Sequence, residues 1–259
     1  MAVIGIMDSG VGGLSVFREI RHLMAGHHYI YYSDNANCPY GDKSPEFIRE
    51  RLHQITRFFL DKGVGAMVLA CNTATAAGIE ELRATYSIPF VGMEPAVKPA
   101  ALGTKSGVIG VLATAGTLKG SKYLNTKGRF ADQIRIEERV GRGFVELVES
   151  GTLAGPEAES VVEASLKPLL ETGADRIVLG CTHYPFLLDS LRKVASRLGY
   201  PEVQFIDPAP AVAARLQDVL ADLGAAAQAS SSSDDSSAGA TEYFASGDPS
   251  ALLSFASRI

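Results

Sequence analysis

Ala66-Met67-Val68-Leu69-Ala70-Cys71-Asn72-Thr73 and Arg176-Ile177-Val178-Leu179-Gly180-Cys181-Thr182-His183 share one plan: an apolar run, a small residue, a cysteine and a threonine-bearing turn. A short apolar run hemmed by small residues predicts a strand buried on both faces of a parallel sheet. Each thiol then sits at a strand's carboxyl end, the rim at which open α/β sheets bind their ligands. A helix starting just beyond would set unpaired backbone N–H groups beside the sulfur and favour its thiolate near neutral pH. Two matched acid/base groups thus face one substrate.

Further strand-like runs are Val3 to Met7, Tyr29 to Ser33, Phe90 to Met93, Val108 to Ala113, Ile134 to Glu137, Val203 to Ile206 and Tyr243 to Ser246. Amphipathic helical stretches separate most of them, as at Phe47-Leu52-Ile55-Phe59 and Val162-Leu166-Leu169. Alternating β and α segments predict an α/β fold of mostly parallel sheets flanked by helices. The order of features also repeats. Asp8-Ser9-Gly10-Val11-Gly12-Gly13 closes one strand and Cys71 follows 63 residues after Asp8; Thr114-Ala115-Gly116-Thr117 closes another and Cys181 follows 67 residues after Thr114. Two pseudosymmetric domains are therefore expected, with the active site in the cleft between them. Residues 1–95 with 210–259 form the first and residues 96–209 the second. Prolines at 95 and 208 mark the crossings. Residues 225–240, rich in serine, read as a flexible loop.

The 46% hydrophobic content of 259 residues suffices for a large soluble core, and a net charge of -5 with scattered Lys and Arg predicts no nucleic-acid surface. No signal peptide or membrane span is expected. Three cysteines make no disulfide framework, so the cytoplasm is the natural compartment. No ligand cluster at zinc spacing occurs, and no metal site is assigned.

A thiol can serve as nucleophile, metal ligand, redox centre or proton carrier. Redox exchange lacks a Cys-x-x-Cys pair. A Cys-His hydrolase would use His183 as base but leave Cys71 idle. Two symmetric thiols suit proton transfer at a prochiral carbon, one removing a proton from one face and the other returning one to the opposite face. Ser9, Asn72, Thr73, Thr75, Thr114, Thr117 and Thr182 offer neutral donors for the transition state, and Asp8 and His183 could hold or relay the thiol protons. The glycine-rich turn after Asp8 lacks the last glycine of the dinucleotide fingerprint; its glycines let backbone approach a carboxylate closely. Backbone N–H groups at Tyr40 and Gly41 could grip a second carboxylate. Cys38 reads as an ordinary loop residue.

These segments together, with Asp34, Pro39-Tyr40-Gly41, Val148-Glu149-Ser150-Gly151 and Cys181-Thr182-His183-Tyr184-Pro185, resemble the glutamate racemase family. Aspartate and hydantoin racemases resemble the chain too, but usually lack that last run. The resemblance implies an isomerase acting on L- or D-glutamate without a cofactor, as a homodimer, supplying D-glutamate for peptidoglycan. It implies that Cys71 serves D-glutamate and Cys181 L-glutamate, supported by Asp8, Glu149 and His183. Ser9, Pro39, Tyr40, Gly41, Asn72, Thr73 and Thr182 are implied as substrate-binding residues. The chain starts on its first strand, without the extension of members activated by a peptidoglycan precursor, so obligatory activation is not expected.

Overall fold

The computed structural model of the chain describes residues 2–227 and 239–258. β1 (Val3–Asp8) runs through the glycine-rich turn into α1 (Leu14–Leu23), and β2 (His28–Ser33) through a polar loop into α2 (Pro45–Asp61). β3 (Ala66–Leu69), α3 (Asn72–Thr85) and β4 (Phe90–Gly92) follow. α4 (Val97–Gly103) leads to β5 (Val108–Ala113), α5 (Ala115–Lys119), α6 (Ser121–Gly128) and β6 (Arg135–Val140). Next come α7 (Phe144–Glu149), α8 (Pro156–Leu170), β7 (Arg176–Gly180), α9 (Leu188–Arg197) and β8 (Gln204–Ile206). α10 (Ala209–Ala227) carries the chain back toward β9 (Thr241–Ala245) and α11 (Ser250–Ala256).

The strands form two sheets, both wholly parallel in their pairings. The first has the order β4-β3-β1-β2-β9, and the second, taken from its β8 edge, runs β8-β7-β5-β6. The second repeats the first four strands of the first, so the predicted α/β class and its internal symmetry are both present. In each sheet the chain steps outward from a central strand and then crosses back over it. That reversal opens a crevice at the carboxyl ends of β1 and β3, and again at those of β5 and β7. Cys71 lies just past β3 and Cys181 just past β7.

Burial explains why these segments are strands. All four residues of β3 are buried, as are the last four of β7. β6, at a sheet edge, carries Arg135, Glu137, Glu138 and Arg139 beside the half-buried Ile136 and Val140, and such charges discourage pairing with another chain. α2 starts at Ser44, whose Oγ accepts from Phe47 N–H, with Pro45 in the first turn. α8 turns Val162, Leu166, Leu169 and Leu170 inward, where Leu169 packs close over Gly110 of β5.

One boundary differs from the sequence expectation. Ala225 to Ala227 belong to α10 rather than to a loop, because an alanine run continues the helix. Gly239 and Ala240 lead into β9, with Ala240 accepting from Tyr29 N–H, and residues 228–238 of the expected loop lie outside the described residues. No helix among the described residues is long and apolar enough to cross a membrane.

Leu169 is fully buried. Leu169→Ala should lower the unfolding free energy by about 3 kcal/mol, read from urea denaturation, through lost burial and the cavity left behind. A loss below about 1 kcal/mol would mean that the second sheet does not rest on α8 as described.

Candidate functional site

The glycine-rich turn after β1 is the floor of the site. The Val11 N–H donates to Glu149 Oε1 at 2.8 Å, so the carboxylate that this backbone approaches is the protein's own. A Cβ at Gly10 would fall on the Glu149 carboxylate, and one at Gly12 on the His183 ring. Only bare backbone lets these two residues from the second half of the chain sit so close. Glu149 Oε1 then pairs with His183 Nε2 at 2.6 Å, and His183 Nδ1 lies 3.7 Å from Cys181 Sγ. Thr182 Oγ1 donates to Asp8 at 3.3 Å, and Ser15 Oγ donates to the Thr182 carbonyl at 2.9 Å, tying the halves together at a second place.

Cys71 and Cys181, both buried, line one small cavity between the two halves. Ser9, Asn72, Thr73, Thr114, Thr182 and His183 complete its polar lining, and Pro39, Tyr40 and Gly41 close it from the loop after β2. Both polar atoms of the Asn72 amide are buried without a hydrogen-bond partner. Asp34 anchors the loop. Arg51 of α2 grips its carboxylate with Nε at 3.0 Å and Nη2 at 2.7 Å, and Tyr40 Oη donates to it at 2.5 Å. Burial opposes the Asp34 charge, but these donors hold its pKa below the ordinary carboxylate value.

The two thiols do not share one environment. Cys71 caps α3, its Sγ accepting from Ala74 N–H at 3.5 Å, as the strand-then-helix pattern predicts. Nevertheless burial pushes its pKa up, and the Asp8 carboxylate adds to the shift; the Ala74 N–H and the Ser9 hydroxyl offset this only in part. The expectation of a thiolate near neutral pH is therefore corrected for Cys71: desolvation of the charged form outweighs one helix terminus. No helix starts directly beyond Cys181; Thr182 and His183 lead into a short 3₁₀ turn, Tyr184–Leu187. Burial also raises the Asp8 pKa, against the pull of His183 and the N–H groups of Gly10 and Gly13. Burial works against an imidazolium at His183, yet Cys181, Cys38 and Glu149 around it prevail and hold its pKa well above the usual value. Burial likewise opposes the Glu149 charge, and His183 with the Val11 N–H reverses the sign.

Four of the sequence candidates lie outside the cavity wall. Asp8 and Glu149 stand behind it, each reaching it through a neighbour. Thr117 Oγ1 backs Thr73 and Thr114 at 3.3 and 3.0 Å. Thr75 Oγ1 serves the backbone, donating to the Leu69 carbonyl at 3.3 Å and accepting from Met93 N–H at 3.0 Å. Sequence inspection passed over Val145, an apolar wall residue, and Arg51, one arginine among several on α2. It also undervalued Cys38, whose Sγ lies 3.7 Å from Glu149 Oε1. None of the three carries a local signal of its place.

Two parallel sheets, each with a thiol at its switch point, place the chain among the α/β racemases. The family profile described as Asp/Glu/Hydantoin racemase matches residues 4–216, and the chain belongs to that family. It is 46% identical over 252 residues to the glutamate racemase of Pseudomonas putida, covering 97% of this chain and 91% of that one. The Escherichia coli glutamate racemase, solved with L-glutamate and the activator UDP-MurNAc-ala, superposes with a TM-score of 0.85 at 35% identity over 99% of this chain and 94% of that chain. The Francisella tularensis enzyme, solved with D-glutamate, gives 0.80 at 26% identity over 98% and 91%. The chain is an isomerase of the racemase type.

The His183–Glu149 pair makes stability depend on pH in both directions. Glu149 is held below its ordinary 4.5, so its contribution is present above pH 4.5 and lost as pH falls through the lowered value. His183 is held above 6.5, so its contribution is full below pH 6.5 and lost as pH rises through the raised value. The gap in urea midpoint between wild type and Glu149→Gln should therefore be widest between pH 4.5 and 6.5. A gap that stayed constant from about pH 3 to 9 would show that the pair contributes nothing to folding.

Proposed function

We propose that this chain is a glutamate racemase that inverts the α-carbon of glutamate between Cys71 and Cys181 by a two-base proton transfer without a cofactor. The observation that carries the reading is the shared cavity: two thiols from equivalent strand ends line it, together with a buried amide that has no partner of its own. The Asn72 amide, with Ser9, Thr73 and Thr182, is suited to the α-carboxylate, where hydrogen bonds strengthen as enediolate charge develops. The Pro39-Tyr40-Gly41 loop is suited to the side-chain carboxylate. Thr114 shares a 2.9 Å hydrogen bond with Thr73, and Thr117 backs both.

In the D to L direction the Cys71 thiolate takes the α-proton, leaving an enediolate-like carbanion, and the Cys181 thiol protonates the opposite face. The thiols end with their protons exchanged and reset through solvent. Asp8 and His183 are the relays. The Asp8 pKa is raised, which suits a carboxylate that accepts the Cys71 proton before substrate is attacked. The substrate ammonium supplies a positive charge against the burial that disfavours the Cys71 thiolate. His183, braced by Glu149, serves Cys181 in the same way. We further assign the chain to D-glutamate supply for peptidoglycan, as a cytoplasmic homodimer whose domains comprise residues 1–95 with 210–259 and residues 96–209.

Proton NMR of L-glutamate in heavy water, with purified protein and no added cofactor, followed by chiral analysis, tests the reading. Loss of the α-proton signal together with D-glutamate formation is expected; exchange with aspartate instead would move the substrate assignment. Cys71→Ala and Cys181→Ala should each lower racemisation by at least about 100-fold with an unchanged circular dichroism spectrum. Near-normal turnover in either variant would refute the two-thiol mechanism.

A further inference from the structure

Cys38, Glu149 and His183 reach one point from three separate parts of the chain: the loop after β2, the end of α7 and the turn after β7. Their ligating atoms all lie within 4.8 Å of one another. Glu149 Oε1 stands 3.7 Å from Cys38 Sγ and 2.6 Å from His183 Nε2. In tetrahedral zinc sites, with Zn–S near 2.3 Å and Zn–N or Zn–O near 2.0 Å, neighbouring ligand atoms stand roughly 3.3 to 3.6 Å apart. The sulfur-to-oxygen separation is already close to that span. The nitrogen-to-oxygen separation needs to open by roughly 0.7 Å, which a cation replacing the shared proton would bring about.

We infer that Cys38, Glu149 and His183 form a binding site for a thiophilic divalent cation of the zinc type, and that its occupancy stops racemisation. One thiolate, one carboxylate and a neutral imidazole balance a double positive charge, and the donor set of S, N and O suits zinc over magnesium or calcium. Coordination releases the Cys38 thiol proton and the His183 Nε2 proton to solvent, with no change of oxidation state. The Val11 N–H on Glu149 Oε1 orients the carboxylate, the kind of support that ligands of a metal site receive from their neighbours. The Glu149 side chain is 23% exposed while that of His183 is 2% exposed, so the cation enters from the Glu149 side and water takes the fourth position. Bound there, it takes Nε2 from Glu149 while Nδ1 remains against the Cys181 sulfur, so the ring can no longer cycle its proton. This inhibitory half rests on the proposed role of His183; the binding half does not.

The test uses the full reduced chain with zinc and with cobalt(II) as a spectroscopic probe. One equivalent should bind, and the cobalt form should show a thiolate charge-transfer band with the strong visible absorption of tetrahedral geometry. Cys38→Ser should remove that band and weaken zinc binding by at least roughly 100-fold, while Cys71→Ala should leave both intact. Zinc should suppress α-proton exchange in wild type at concentrations that leave Cys38→Ala active. Absence of stoichiometric binding would overturn the site, as would a cobalt band that survives Cys38→Ser and vanishes in Cys71→Ala, which would place the cation between the cleft thiols. Stoichiometric binding with unimpaired exchange would overturn the inhibitory half. Failure of the chelated wild type to racemise would instead count against the proposed function, and the cobalt spectrum would still decide the site.

Discussion

The contact of Glu149 and His183 with the backbone of the turn from Gly10 to Gly12 is the constraint on which the site depends. It joins an ion pair from the second half of the chain to a hydrogen-bonded turn in the first. Glu149 accepts from Val11 N–H and from His183, and His183 in turn faces Cys181. The two halves are thereby registered against each other at the place where their thiols meet. A side chain at either glycine would occupy the volume of the pair. The absence of Cβ atoms here is thus a packing requirement imposed by the opposite half.

Around that joint the two halves use the same topology for different tasks. β1 and β3 present Ser9 and Cys71, while β5 and β7 present Thr114 and Cys181. The supporting groups are not equivalent. Cys71 has a carboxylate behind it and a helix terminus beside it; Cys181 has an imidazole. The polar loop after β2, fixed by the Asp34–Arg51 fork, closes the cavity. In the second half the residues after β6 lead instead into α7, which delivers Glu149. One repeat unit therefore supplies a lid and the other a brace.

Much of this was legible in the sequence because it is local. Strand-like runs located the nine strands among the described residues to within a few residues, and the repetition of strand, cysteine and threonine identified the two thiols. What escaped was set by approach between distant segments. Thr75 sits one turn beyond Cys71 in the same hydroxyl-rich stretch, yet its hydroxyl is consumed by the backbone of β3 and Met93. Cys38 has no local pattern, and its importance arises only because Glu149, 111 residues away, folds against it. The thiolate expected at Cys71 failed for a related reason: a helix terminus can be read from sequence, whereas the burial and the Asp8 charge that oppose it belong to the assembled site.

The unequal surroundings of Cys71 and Cys181 have a consequence in kinetics. A racemase connects enantiomers of identical free energy, so kcat/KM must be the same in both directions however differently its two bases are built. The asymmetry between a carboxylate-backed and an imidazole-backed thiol can act only on how each direction divides that shared quotient. The enantiomer with the lower KM must have the lower kcat by the same factor, and any change confined to one side of the cavity can shift this division but never make the two quotients differ.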